Sequence, residues 1–479
     1  MSKAVWRRFL VPSCLVAALA ASSAPPAGAA GPFYDEMDMQ VVSEGFTAEK
    51  QLERQATLSR RLLRELPQIA EQKAIRIQLS ADEINGVDKA SRKTSPLRIG
   101  LVKPMQPIVV SGLDGDSLEK AASGRLVWAA VVRANNAGAI RLHIEDMSLP
   151  RNAELFAYSR AGQAYGPYTG TGPDRTGEFW TTTIFGSEAI LQLRLNGPVS
   201  DEDLRAISFK VREAGVITEG FAGTLGGTKP PMPWEKAYCG NASCIVDATC
   251  FTNTPAEPQK LATAKMEWIS GRYIYTCTGS LIADNNPTRD NFFLTANHCL
   301  SASKAAKNVN FYWRFASSSC NGGCPSNNGW PYITTGSSVV SSNRTADYTL
   351  LQLTSNPPAG SVRLGWNSTP IANTNGAALY RVSNPGFGPQ VYSAHTVDTT
   401  AGTCTGWPRG SWIYSRDITG ATDGGSSGSP VLNANSQVVG QLSGGCGFNV
   451  NDVCDVQSNA TVDGAFAAYY NTIRPYINP

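Results

Sequence analysis

Net charge is nearly absent from this chain of 479 residues: 41 Lys+Arg stand against 38 Asp+Glu, a balance of +3. No basic field exists of the kind that long-range capture of nucleic acid requires, so nucleic acid is not an expected partner. Long apolar runs are missing as well. Beyond the N-terminus none approaches the roughly 18–20 residues of a membrane span, and the mature chain is expected to be soluble. Histidine is scarce, with His143, His298 and His395 the only three. A general base working near neutral pH must therefore come from a very short list. Cysteine is missing from most of the first half: of 11 cysteines, one is Cys14 and the others lie between Cys239 and Cys454.

What is present divides the chain. A length of 479 residues predicts two or three domains. Residues 1–30 carry Lys3, Arg7 and Arg8, an apolar stretch from Phe9 to Ala21, and the small-residue exit Ala27-Gly28-Ala29-Ala30. This pattern predicts a secretory signal peptide, and hence an exported, extracellular protein. Export leads to an oxidising compartment, where the late cysteines are better read as up to five disulfides than as metal ligands. No metal site is evident, and no cofactor is expected.

Residues 46–66 place leucines at helical spacing and predict a solvated amphipathic helix. From about 74 to 215, short alternating runs such as RLVWAAVVR, AIRLHIEDM and EAILQLRL are separated by turn residues. They predict a β-sandwich. His143 sits in one of these runs without a partner motif and reads as structural. Residues from about 220 to 237 are rich in Gly and Pro without periodicity and predict an exposed, cleavable linker. After it, charge thins out and many short β-type runs follow, ending in AFAAYYNTIRPY over 465–476, a predicted closing helix. About 240 residues of this kind suit an all-β domain of two small barrels.

Three places in this last segment carry chemistry. In FFLTANHC an apolar strand ends at Leu294 and His298 follows in a turn beside Cys299. In TDGGSSGSP, Ser427 lies between glycines that permit a tight exposed turn, with the amides of Gly425 and Ser427 placed to form an oxyanion hole. Asp347, at the head of the strand YTLLQL, can be partly buried and still orient an imidazole.

Taken together, TANHC, ADYTLLQL and GSSGSP resemble the histidine, aspartate and serine motifs of chymotrypsin-like serine proteases, in that family's chain order. CTGSL at 277–281, the pair Cys244 and Cys250, FYWRFASSSC and GQLSGG bring the sequence close to the secreted bacterial branch that contains lysyl endopeptidases. The resemblance implies a chymotrypsin-like double β-barrel over 238–479 with a C-terminal helix, preceded by a β-sandwich prosegment within 31–237. It implies catalysis of peptide-bond hydrolysis by His298, Asp347 and Ser427. It also implies disulfides Cys277–Cys299 and Cys250–Cys320, with Cys244 joined to Cys446 or Cys454. Ser443, Gly444 and Gly445 would line the substrate cleft and pair with substrate backbone.

Where digestive zymogens of this fold carry an aspartate before the nucleophile, this chain has Ser426. Activation by that ion pair is unavailable, so maturation should depend on removing the prosegment, expected to act as an internal chaperone and inhibitor. A preference for a basic residue before the scissile bond would need a carboxylate in the pocket, because an unpaired buried cation is costly. Thr461 occupies the position where lysyl endopeptidases have that acid, so Asp423, Asp455 and Asp463 are the candidates. Two other readings use the same residues: an inactive binding protein on a protease scaffold and an esterase.

Overall fold

The structure, a computed structural model, describes residues 34–91, 95–113, 118–219, 239, 241–286, 290–322, 331–386 and 388–479. The expected signal peptide, the linker over about 220–237 and Cys324 lie outside the described residues. In the N-terminal segment Thr47 caps helix α1 (Ala48–Leu63), its hydroxyl accepting from Lys50 N, with Glu49 in the first turn and Arg60 and Arg61 in the last. That charge order suits the helix dipole.

Two sheets follow. One joins Ile75–Ile77, Leu126–Ala134, Glu188–Leu195, Ala153–Tyr158 and Ala164–Tyr168. The other is built on β1 (Leu97–Ser111), β2 (Ala137–Ser148) and β3 (Ser208–Thr218), with β3 between its two partners. Alternation along these strands turns Val132, Leu155 and Leu193 from one sheet and Ile144, Phe209 and Val211 from the other into one core. Each such side chain contributes about 1.5–3 kcal/mol by burial. His143 stacks on Trp180 with 4.4 Å between ring centroids, and its Nδ1 lies 3.0 Å from Glu213 Oε1.

The C-terminal segment forms two barrels. In the first, β4 (Thr263–Ser270) pairs with β5 (Tyr273–Leu281), which pairs with β6 (Phe292–Ala296). Strand β7 (Asn310–Trp313) lies on the other side of β4 and pairs with β8 (Tyr332–Thr335). Strand β9 (Ser337–Asn343) pairs with β10 (Tyr348–Leu353), which returns to β6. Gly336, at φ +91°, joins β8 to β9, so one bent strand carries the ladder back to its start. A Cβ there would lie 2.4 Å from Thr354 Oγ1.

The second barrel runs through β11 (Ala378–Ser383), β12 (Val391–Val397), β13 (Trp412–Thr419), β14 (Pro430–Leu432), β15 (Val438–Gly447) and β16 (Asn459–Ala465). Its ring of pairings, β11–β12–β13–β16–β15–β14–β11, is complete. Helix α2 (Phe466–Ile477) closes the chain, packing Phe466, Tyr469 and Ile473 against Phe292, Leu350 and Trp366. The fold is all-β, a chymotrypsin-like pair of barrels preceded by a sandwich.

One feature had no signature in the sequence. Strand β1 pairs with β5, setting Leu97 opposite Thr276 and Leu101 opposite Tyr273, so the sandwich sheet continues into the first barrel. Ile269, Ile274, Tyr312, Phe315 and Ile333 of the C-terminal segment belong to the same core as the sandwich. A buried polar cluster crosses the same boundary. Arg141 Nη1 donates to Glu267 Oε1 at 2.9 Å, and Arg141 also donates to Thr181 O and Asn308 O, each at 2.8 Å. Thr183 and Tyr312 donate to Glu267 Oε2. Both charged side chains are fully buried. Arg141→Ala leaves the Glu267 carboxylate buried without its counter-charge, and is expected to lower the stability of the intact chain by about 3–5 kcal/mol, read as a fall in the urea midpoint.

Candidate active site

The register of β6 and β10 sets Ala296 opposite Tyr348, so the residues just beyond, Asn297 and Asp347, also face each other. Asn297 N donates to Asp347 O at 3.0 Å. One residue further, Asp347 takes hold of His298 twice: Oδ1 accepts from the His298 amide at 2.9 Å, and Oδ2 lies 2.8 Å from Nδ1. A carboxylate at Nδ1 selects the tautomer with its proton there and leaves Nε2 as a base.

Asp347 adopts φ +51°, a region non-glycine residues rarely visit. Its surroundings hold it there. Gln441 Nε2 donates to Asp347 O at 3.0 Å, and the hydroxyl of Tyr469 on α2 donates to Gln441 Oε1 at 2.5 Å. The closing helix is thus connected to the site through one glutamine.

Ser427 is presented by a turn anchored to both barrels. Thr278 N donates to Ser427 O at 2.9 Å, and Thr278 Oγ1 to Gly425 O at 2.8 Å, tying the turn to β5. Gly428 N donates to Leu442 O at 2.8 Å and Leu442 N to Ser429 O at 2.9 Å, tying it to β15. Gly425 and Gly428 have φ of +96° and +82°. Among the described residues, the amides of Gly425 and Ser427 and the Ser427 hydroxyl find no protein hydrogen-bond partner.

His298 and Ser427 line one cleft of about 850 Å³, with Trp407, Asp417, Ser443 and Thr461. No hydrogen bond joins Ser427 Oγ to His298 Nε2 in this structure. The two are linked instead through neighbouring residues: Ser427 O is bound by Thr278, adjacent Cys277 is bonded to Cys299, and Cys299 follows His298. In unliganded sites such contacts are often long and tighten when substrate arrives.

Residues 240–461 match the family described as the lysyl endopeptidase C-terminal domain. A lysyl endopeptidase of Pseudomonas aeruginosa is 27% identical over 411 residues, which cover 81% of this chain and 83% of that one. The protein is a lysyl-endopeptidase-like serine endopeptidase. Solved structures that resemble it include the active form of the Rv3671c protease of M. tuberculosis, with 16% identity and a TM-score of 0.33 over 50% of this chain and 92% of that one. Another is a serine endoprotease from Yersinia pestis, with 13% identity and a TM-score of 0.32 over 47% of this chain and 68% of that one.

In this endopeptidase Cys277 is bonded to Cys299 and Cys250 to Cys320. Cys244 is bonded to Cys454, while Cys446, the alternative, takes Cys404. Cys239 is disulfide-bonded too. Cys277, His298 and Cys299 approach one another closely enough to suggest a metal centre, but both sulfurs are committed to the disulfide.

Ser443, Gly444, Gly445 and Asp423 line the cleft. Asp463 does not, which corrects its reading as a substrate-binding candidate. It is fully buried and forms an ion pair with Arg381 inside the second barrel. Thr461 lines the cleft, and a strand advances about 6–7 Å in two residues, enough to carry Asp463 past the pocket wall into the core.

Asp417 was not singled out in the sequence, where WIYSRDIT reads as an ordinary strand. The usable signal was its cross-strand partner, since the register of β12 and β13 sets it opposite His395, one of only three histidines. At Gly428 a Cβ would lie 2.2 Å from Thr295 Oγ1 and 2.6 Å from Thr278 O. Gly428→Ala is therefore expected to cost about 1–3 kcal/mol in strain and to displace the turn, measured as lower thermal stability together with lost peptidase activity.

Proposed function

We propose that the chain is made as a secreted preproenzyme and that its trailing domain cleaves peptide bonds through an acyl-enzyme. Ser427 Oγ attacks the carbonyl carbon while His298 Nε2 takes its proton, and Asp347 stabilises the imidazolium that forms. The carbonyl oxygen, now an oxyanion, receives hydrogen bonds from the Gly425 and Ser427 amides. His298 then gives its proton to the departing amine, and water repeats the sequence on the ester. The observation that carries this reading is the double hold of Asp347 on His298, at 2.9 and 2.8 Å. A scaffold kept only for binding has no need of an imidazole held in one tautomer.

In this reading residues 31–237 are the prosegment, and they inhibit the enzyme until removed. What supports inhibition is the start of β1: Ser95 and Leu97 line the same cleft as His298 and Ser427, and Leu97 Cδ1 would lie 3.2 Å from a Cβ on Gly424. A preference for basic residues before the scissile bond belongs to the proposal as well. Asp417, Asp423 and Asp455 all line the cleft.

Ser427→Ala is expected to abolish hydrolysis of peptides and simple esters alike, along with labelling by a fluorophosphonate. Asp347→Asn should retain the fold and lower kcat by about four orders of magnitude, because the ring then favours the wrong tautomer. Comparing folded protein, short peptides and simple esters separates an endopeptidase from an esterase. Hydrolysis that survives Ser427→Ala would overturn the proposal. For the prosegment, Leu97→Asp in the unprocessed chain is expected to raise fluorophosphonate labelling of Ser427 several-fold. Unchanged labelling would count against inhibition by β1.

A further inference from the structure

We infer that Asp417 is the carboxylate that receives the cationic side chain preceding the scissile bond, an assignment that rests on Ser427 being the nucleophile. Four acids come into question, and their surroundings separate them. Asp463 is fully buried and balanced by Arg381. Asp423 is exposed at the rim of the cleft, where its Oδ1 accepts from the Gly424 amide at 2.6 Å. Asp455 accepts from Asn449 Nδ2 at 2.9 Å and from the Ser458 amide at 3.1 Å, interactions that brace its own loop. Asp417 alone combines burial with a place on the cleft wall: its side chain is 9% exposed.

The Asp417 carboxylate is held in place by His395 and Thr461. Its Oδ1 lies 2.6 Å from His395 Nδ1 and accepts from Thr461 Oγ1 at 2.8 Å. His395 Nε2 is 2.8 Å from Ser393 Oγ. Burial pushes the Asp417 carboxyl upward, but His395, Thr461 and Arg381 together outweigh it and keep the group below its ordinary range. Arg381 is paired with Asp463 inside the barrel and stays with it there. Both hydrogen bonds to Asp417 converge on Oδ1, which leaves Oδ2 for a ligand. Trp407 lines the same cleft, stacked on Trp412 with 5.2 Å between centroids, and an aromatic face suits the aliphatic stem of a lysine or arginine.

The test uses the full chain, secreted and processed by its host, with peptide pairs that differ only in Lys or Leu before the cleaved bond. In Asp417→Asn the Lys/Leu ratio of kcat/KM is expected to fall by about 100-fold or more, because a site built around a charge loses its selectivity when that charge goes. The fall should come from the Lys peptide, with Leu-peptide hydrolysis and labelling of Ser427 by a neutral fluorophosphonate still measurable as evidence that the variant is folded. Asp423→Asn and Asp455→Asn should leave the ratio intact. A ratio preserved in Asp417→Asn, or lost in either of the other two variants, overturns the assignment. So does a parent enzyme that labels at Ser427 yet shows no preference for Lys. If the parent neither labels nor cleaves, the endopeptidase reading has failed, and the assignment with it.

Discussion

The site depends on one carboxylate making two hydrogen bonds to one residue. Asp347 engages both the amide and the ring of His298, so position and tautomer are set by the same group. That is possible only because the β6–β10 register places the residue after one strand opposite the residue before the other. A slip of one residue would turn every side chain of β10 to the other face and take Asp347 with it. The unusual φ of Asp347 is the local consequence. Gln441 of β15 and Tyr469 of α2 hold the strained residue in place, which is how the second barrel and the closing helix bear on a histidine carried by the first.

Ser427 depends on the same junction from the other side. Its turn is bonded to β5 through Thr278 and to β15 through Leu442, so the serine and the histidine are positioned by backbone ladders rather than by each other. This explains how the cleft can keep its shape without a hydrogen bond between the serine hydroxyl and the imidazole. It also explains why glycine is required at 428, where the turn passes within contact distance of β5 and β6.

Much of this was legible in the sequence because its signals are local. The runs EAILQLRL and YTLLQL read directly as strands, the leucine spacing over 46–66 marks a helix, and the glycines around Ser427 mark a tight turn. What escaped depended on partners distant in sequence. Asp463 and Thr461 look equally placed on one strand, and only the depth of the barrel separates a pocket residue from a core one. Asp417 becomes visible only through its register with His395. The partners of Cys244 and Cys446 likewise follow from the route of the chain between barrels rather than from spacing.

The continuity of β1 with β5 bears on the maturation proposed above. A cut between 220 and 238 would separate the halves covalently and leave the contacts between the described residues of the two halves in place. The ladder from Leu97 to Leu101, the Arg141–Glu267 cluster and the shared apolar core all lie elsewhere. Dissociation in one piece would expose Ile269, Ile274 and Phe315 at once and strand the Glu267 carboxylate without its guanidinium, two costs that act together. Digestion of the sandwich removes the ladder piecemeal and spreads those costs over many steps. On the proposed reading of the sandwich as a prosegment, the apolar and ionic surface that steadies it on the barrel favours cleavage within the sandwich, over scission of the linker alone, as the event that opens the cleft.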